Sequence, residues 1–286
     1  MSKSNMLLGL AKGKVGDLVF YRDGGEQRTR TRVIPKNPRT FAQQAQRVKI
    51  ANVGGIFRAA ADILRDSFVN RPTNQSGYNA FASRAIATSP YLTKEMVSAG
   101  SVIPQPAMAS KGTLPALPFS LSASAENMGP YMDLSIETTE ATTIGEVVNA
   151  MREQWSWFVE QAELHFVCLV FSPNDDADLP VDVYNVYEIH KVLKLDPAST
   201  ELFSTSGLEV ANDSLRIAGL SGDTSNTIVM AVVLQSSVDG NGRLDASTQY
   251  FILSADALDL YEGYRTEAAL QDAVASYNAI GEISLR

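Results

Sequence analysis

Residues 12–71 read KGKVGDLVFYRDGGEQRTRTRVIPKNPRTFAQQAQRVKIANVGGIFRAAADILRDSFVNR. The stretch contains a hairpin pattern followed by a helix pattern. Val15, Leu18, Val19, Phe20 and Tyr21 form a β-prone run, and Asp23-Gly24-Gly25 supplies turn residues that tolerate positive φ. Residues 15–34 are therefore expected as a β-hairpin. On the return arm Arg28, Arg30 and Arg32 alternate with Thr29, Thr31 and Val33, which puts the three arginines on one face. Successive arginines there stand about 7 Å apart. That is roughly two phosphate steps of about 3.4 Å, so a nucleic-acid backbone could be tracked. The competing reading is a solvated edge strand whose charges block aggregation. Three arginines at period two, with no acid interleaved, exceed what edge protection requires.

Beyond the hairpin, Asn37-Pro38 breaks the strand within a connector at residues 35–39. Thr40 opens a helix, with Gln43 three residues on to complete a capping box. Phe41, Ala45, Val48, Ala59 and Ile63 mark its apolar face. Gln43, Gln46, Arg47 and Lys49 fall in the first turns, either as contacts to phosphate and base edges or as an ordinary polar face. Gly54-Gly55 costs about 1 kcal/mol per glycine in a helix interior, so a kink or break is expected there. The helical pattern resumes at Ile56 and runs to Phe68. Tyr78, Phe81, Ala82, Ala85 and Ile86 stripe a further helix, and residues 91–97 add a turn.

Charge divides the chain. Residues 1–92 hold fifteen Lys and Arg against five Asp and Glu, a net +10; the whole chain is −8, so residues 93–286 carry −18. A basic end set apart in this way points to an acidic partner. The acidic overall balance is an average of two unlike parts and does not argue against nucleic acid.

The chain has 286 residues, long enough for two domains of ordinary size. Its 45% hydrophobic and 20% charged content is that of a globular protein. Pro104, Pro106, Pro115, Pro118 and Pro130 mark a boundary. The expected division is a basic hairpin-helix domain at 1–97, a Pro-rich linker at 98–118, and an acidic domain at 119–286. In the last, strands are expected at 132–137, 164–171, 184–195, 215–218, 227–235 and 248–253. A helix is expected from Ile144 to about residue 160, opened by a Thr143/Glu146 capping box. Trp155, Trp157 and Phe158 should pack on the sheet from its end. Two helices, 255–261 and 266–280, close the chain. The fold class is α+β: a mostly antiparallel sheet or sandwich with a few helices after the basic hairpin.

Sites for chemistry are scarce. Cys168 stands alone in LHFVCLVF, so no intrachain disulfide forms and a buried thiol is expected. His165 and His190 have no Cys or second His at ligand spacing, and read as strand residues rather than metal ligands. No phosphate-binding loop, dinucleotide fingerprint or nucleophile motif occurs. Asp239, Asn241 and Asp245 resemble the start of a calcium loop, but Leu244 replaces its glycine and Tyr250 its final acid. No constellation supports an enzyme, and no cofactor is expected. No apolar run nears the ~20 residues of a membrane span. The patch from Met6 to Leu10 falls short of the ~7–15 residues of a signal-peptide core, so a cytoplasmic product is expected.

The run G-K-V-G-D-x-V-F-Y-R, a glycine-bearing turn, R-x-R, then N-P-R-T-x-A-Q-x-x-Q-R-x-K, spans Gly13 to Lys49. It resembles the nonstructural proteins of small single-stranded DNA phages (Microviridae) of Bacteroidetes, and related uncharacterised Bacteroidetes proteins. Gly242-Arg243-Leu244 and Thr248-Gln249, leading into an apolar strand and a Tyr-bearing tail, add a weaker likeness. The resemblance implies a phage-related protein that handles viral DNA or assembly, and it brings no catalytic residues.

Together these readings point to a non-enzymatic phage accessory protein that binds nucleic acid, single-stranded DNA favoured. The expected contacts are Lys12, Lys14, Arg22, Arg28, Arg30, Arg32, Lys36, Arg39, Arg47 and Lys49. The alternative is a virion structural or assembly protein whose basic arm meets an acidic phage protein surface or the packaged genome. Self-association stays open, and location follows the reading: the infected cell's cytoplasm, or the virion.

Overall fold

Two of the chain's most apolar runs, Glu163–Pro173 and Ile228–Val238, pair antiparallel over nine positions, from Ile228↔Phe171 to Ser236↔Glu163. The computed structural model describes residues 12–23, 26–33, 40–69, 71–124, 127–174, 183–221 and 228–278. In chain order these hold strands β1 (Gly13–Val15), β2 (Leu18–Asp23) and β3 (Glu26–Thr31), then helices α1 (Phe41–Ala59), α2 (Ala61–Leu64), α3 (Gly77–Ala85) and α4 (Lys94–Ser98). Strands β4 (Met108–Ser110), β5 (Ser120–Ala123) and β6 (Met128–Asp133) precede helix α5 (Ile144–Gln154). Next come β7 (Glu163–Pro173), β8 (Tyr184–Lys194), β9 (Leu208–Ala211), β10 (Ser214–Ile217) and β11 (Ile228–Val238). Short strands β12 (Leu244–Ala246), β13 (Gln249–Tyr250) and β14 (Ile252–Leu253) lead to α6 (Ala255–Gly263) and α7 (Glu267–Asn278). The fold is α+β, as expected.

The central sheet runs β12-β11-β7-β8, with β14 also on β11. Its two long inner strands alternate between two cores, because successive side chains of a strand point to opposite faces. Leu164, Phe166, Cys168 and Val170 of β7, with Val229, Ala231 and Val233 of β11, face one way. There they meet α5 and the inner side of a second sheet, ordered β5-β6-β10-β9, through Met132, Leu208, Leu215 and Ile217. Val167, Leu169 and Phe171, with Ile228, Met230, Val232 and Leu234, face the other way. That side is covered by Val53 and Ile56 of α1, Ile63 and Leu64 of α2, Phe81 of α3 and Ala257 of α6. The central sheet is thus buried on both faces, which is why its strands read as continuous apolar runs.

The helix-covered core contains residues from both sides of the 98–118 stretch, and that stretch adds Val102, Ala107 and Ala109 to it. Expected as a linker, the stretch is buried from 101 to 105 and forms β4, which pairs with β13. A fully buried amide anchors it: Asn52 of α1 accepts from the Ile103 N–H at 2.8 Å and donates to the Ile103 carbonyl and Gln105 Oε1, both at 2.9 Å. Gln105 in turn donates to the Ala85 carbonyl at the end of α3.

Local expectations fared unevenly. Thr40 caps α1 by accepting from the Gln43 N–H. Instead of breaking, α1 runs continuously through Gly54-Gly55. A Cβ on Gly55 would stand 2.7 Å from Val102 Cγ2, so this glycine admits the buried stretch against the helix. Phe41, expected on the apolar face, is 53% exposed. The Thr143/Glu146 capping box is present. The helix it opens ends at Gln154 rather than near residue 160, because Trp155 turns extended and donates its indole N–H to the Asp133 carbonyl at 3.1 Å. Trp155 does pack into the core, with Trp157 stacked on it at 4.4 Å. The strand expected at 132–137 lies at Met128–Asp133, and the one at 248–253 is split into β13 and β14.

Candidate nucleic-acid interface

Strands β1, β2 and β3 form their own three-stranded antiparallel sheet, and no residue of it belongs to the apolar clusters. The register sorts its side chains, since directly opposed residues share a face. Val19 opposes both Lys14 and Arg30, and Tyr21 opposes Arg28. Lys14, Val19, Tyr21, Arg28 and Arg30 therefore occupy one face. The Arg30 guanidinium carbon lies 5.7 Å from the centre of the Tyr21 ring. Glu26 shares this face at its end, and its carboxylate lies 4.0 Å from the Arg28 guanidinium, which tempers the arginine row. Both partners are more than half exposed, so the pair contributes little to stability.

The other face carries Val15, Leu18, Phe20, Arg22, Gln27, Thr29 and Thr31. Val15 and Leu18 are 42% and 45% exposed there. The expected contact residues thus divide. Lys14, Arg28 and Arg30 come together, while Arg22 points to the opposite side. Lys12 is exposed just before β1. Arg32 is exposed just past the end of β3, with its N–H donating to the Asp17 carbonyl. Lys36 and Arg39 lie outside the described residues. On α1, Arg47 is exposed, but the Lys49 ammonium sits 5.7 Å from the centre of the Tyr91 ring. Tyr21, which shares the face with Lys14, Arg28 and Arg30, is not among the expected contact residues. The signal was its place two residues after Val19 on a strand whose partner bears arginines.

A second polar group gathers at the central sheet. His165 of β7 and His190 of β8 are 25 residues apart, yet His165 Nδ1 lies 3.1 Å from His190 Nε2. His165 Nε2 lies 2.8 Å from Ser236 Oγ on β11 and 3.8 Å from the Glu163 carboxylate. Burial, with the neighbouring His190, pushes His165 down to about 4, so the ring is neutral at neutral pH. Burial also lowers His190, opposed by the Asp62 carboxylate of α2. Glu188 is pushed up to about 7, by burial first and then by Asp62. Its Oε1 is buried with no hydrogen-bond partner among the described residues.

Among the described residues no group of three or more His, Cys, Asp and Glu could hold a metal ion. Among them, too, no helix is long and apolar enough to cross a membrane. The Asp239 loop is a turn: its carboxylate accepts from the Asn241 and Arg243 N–H groups at 2.9 and 2.7 Å. A concavity on the outer side of the second sheet is lined by Tyr131, Ser214 and Arg216, but Arg216 is already held by Glu209 at 2.8 Å and by Asn127.

No family model, curated protein or solved structure matches the chain.

Proposed function

We propose that this chain is a non-enzymatic phage accessory protein that binds nucleic acid, single-stranded DNA in preference, through the basic face of its N-terminal sheet. The observation that carries the reading is the convergence of Lys14, Arg28 and Arg30 around Tyr21 on a sheet that contributes nothing to the cores. Lys14, Tyr21, Arg28 and Arg30 are exposed and lie outside the apolar clusters. The resemblance of residues 13–49 to phage nonstructural proteins supplies the biological setting. Arg32, just past the end of β3, adds a further exposed charge.

The test is a salt series. Arg28→Ser, Arg30→Ser and Arg32→Ser together should reduce the log–log slope of single-stranded DNA affinity against salt by about 2, from roughly 0.7 per phosphate contact. Circular dichroism should stay unchanged. Equal affinities and slopes for wild type and variant would remove the arginines from nucleic-acid binding.

A second reading has its own support. The opposite face exposes Val15 and Leu18, which suits contact with a protein. An assembly protein whose basic arm meets an acidic phage protein surface would leave free DNA weakly bound before and after the substitutions. Its presence in purified particles would favour this reading.

A further inference from the structure

We infer that Tyr21 is a base-stacking residue, and that the basic face of the N-terminal sheet therefore takes unpaired strands rather than duplex. The inference rests on the nucleic-acid reading above and adds the residue that selects the strand state. Tyr21 lies in the middle of β2, is 37% exposed, and belongs to none of the apolar clusters. An aromatic ring left at the surface of a strand has a face available to a flat partner. Around it the cations are placed on two sides. Arg28 lies directly across on β3, and Arg30 reaches the ring diagonally, 5.7 Å from its centre. Lys14 continues the row on β1, opposite Val19.

This is the chemistry single-stranded sites use. A π-face accepts any base, and flanking cations hold the phosphates on either side. The guanidinium of Arg30 is itself planar and stacks on aromatic faces, so it can stay beside the ring or swing to a phosphate when a base arrives. A duplex offers its phosphates to the same arginines, but its base faces are closed by stacking. Charge alone would bind both forms; the ring distinguishes them. The competing account makes Tyr21 and Arg30 a pair that only stabilises the sheet. In that account the tyrosine would matter to melting and not to the presence of bases.

The experiment uses the full chain and three labelled probes of about twelve nucleotides: oligo-dT, an abasic strand with the same phosphates, and a duplex. Fluorescence anisotropy is read at fixed salt for wild type, Tyr21→Phe and Tyr21→Val. Wild type should favour oligo-dT over the abasic strand by about five- to hundredfold. Tyr21→Phe keeps the π-face and should keep that preference. Tyr21→Val keeps a β-forming residue and every charge. It should bring the ratio close to one, lower the preference over duplex, and leave the salt slope unchanged. Melting of the Val variant should match wild type, since the ring lies outside the cores. If wild type binds oligo-dT and the abasic strand equally, or Tyr21→Val retains the preference, stacking is overturned while backbone binding stands. If wild type binds none of the probes, the nucleic-acid reading itself falls, and this inference with it.

Discussion

Cutting the chain at residue 118 should destroy cooperative folding of the remainder. A 119–286 fragment keeps the central sheet but loses α1, α2, α3 and β4 from one of its faces. Seven apolar side chains then face water or the remaining α6: Val167, Leu169, Phe171, Ile228, Met230, Val232 and Leu234, none more than 8% exposed in the full chain. At about 1.5–3 kcal/mol for burying such a side chain, the set represents about 10–20 kcal/mol, an upper bound because the unfolded chain is itself partly collapsed. Since α6 still shields part of the face, half of that is a fair loss, about 5–10 kcal/mol. The whole stability of a domain is about 5–15 kcal/mol. The fragment should therefore show a broad, shallow melt by circular dichroism, bind a hydrophobic dye, and self-associate on gel filtration. A sharp transition within a few degrees of the full chain, with no dye binding, would refute the shared-core reasoning and restore a boundary near 118.

Deleting residues 13–31 should have the opposite outcome: β1–β3 supply nothing to the cores, so the melting temperature should stay within a few degrees while DNA binding is lost. Asn52→Ala leaves the buried Ile103 N–H and carbonyl without the partner that bonds both; a loss of about 3 kcal/mol in denaturant unfolding is expected, and a loss under 1 kcal/mol would mean the amide is dispensable. His165, lowered from 6.5 to about 4, contributes stability that is fully present above pH 6.5 and is lost as pH falls through about 4. In His165→Gln that limb of the stability–pH curve should flatten; an unchanged limb would assign it to other groups. Glu188, raised from 4.5 to about 7, has the reverse sign, favouring the fold below pH 4.5 and losing that advantage as pH rises through 7. Glu188→Gln should therefore raise the melting temperature at pH 8 relative to wild type, with no gain at pH 4.5.

Sequence patterns revealed the elements better than their arrangement. The long strands and the caps at Thr40 and Thr143 are local features, so neighbouring residues carry their signal. What joins α1 to the central sheet is not local. Asn52 looks like an ordinary polar residue in a helix until Ile103, 51 positions away, is placed against it. The prolines of 98–118 suggested a spacer because composition cannot distinguish exposed extended chain from extended chain lying in a core. Gly55 had the same ambiguity: the residue that weakens a helix is also the one that admits Val102. At the candidate interface, period-two alternation put Arg28 and Arg30 on one face of β3, where they lie, but Arg32 falls past the end of the strand. Alternation could not say which side Arg22 would take, because that depends on the register of β2 against β3. The two histidines were legible only as strand residues, for their meeting is set by the β7–β8 pairing.

The two-sided burial of β7 and β11 raises the question of how these strands know their alignment. Where one face of a strand is wet, a slip by one residue is punished at once, because the apolar set is thrown into water. Here a slip would only exchange one oily side for the other. Alignment must be dictated by the few positions that are not interchangeable. His165, touching Ser236 on one neighbour at 2.8 Å and His190 on the other at 3.1 Å, ties three strands together by diagonal contacts across the ladder. A shift of either neighbour by one position would strand a ring nitrogen among hydrocarbon. In this molecule the imidazole pair works as the notch that keeps a uniform zipper from closing one tooth out of place.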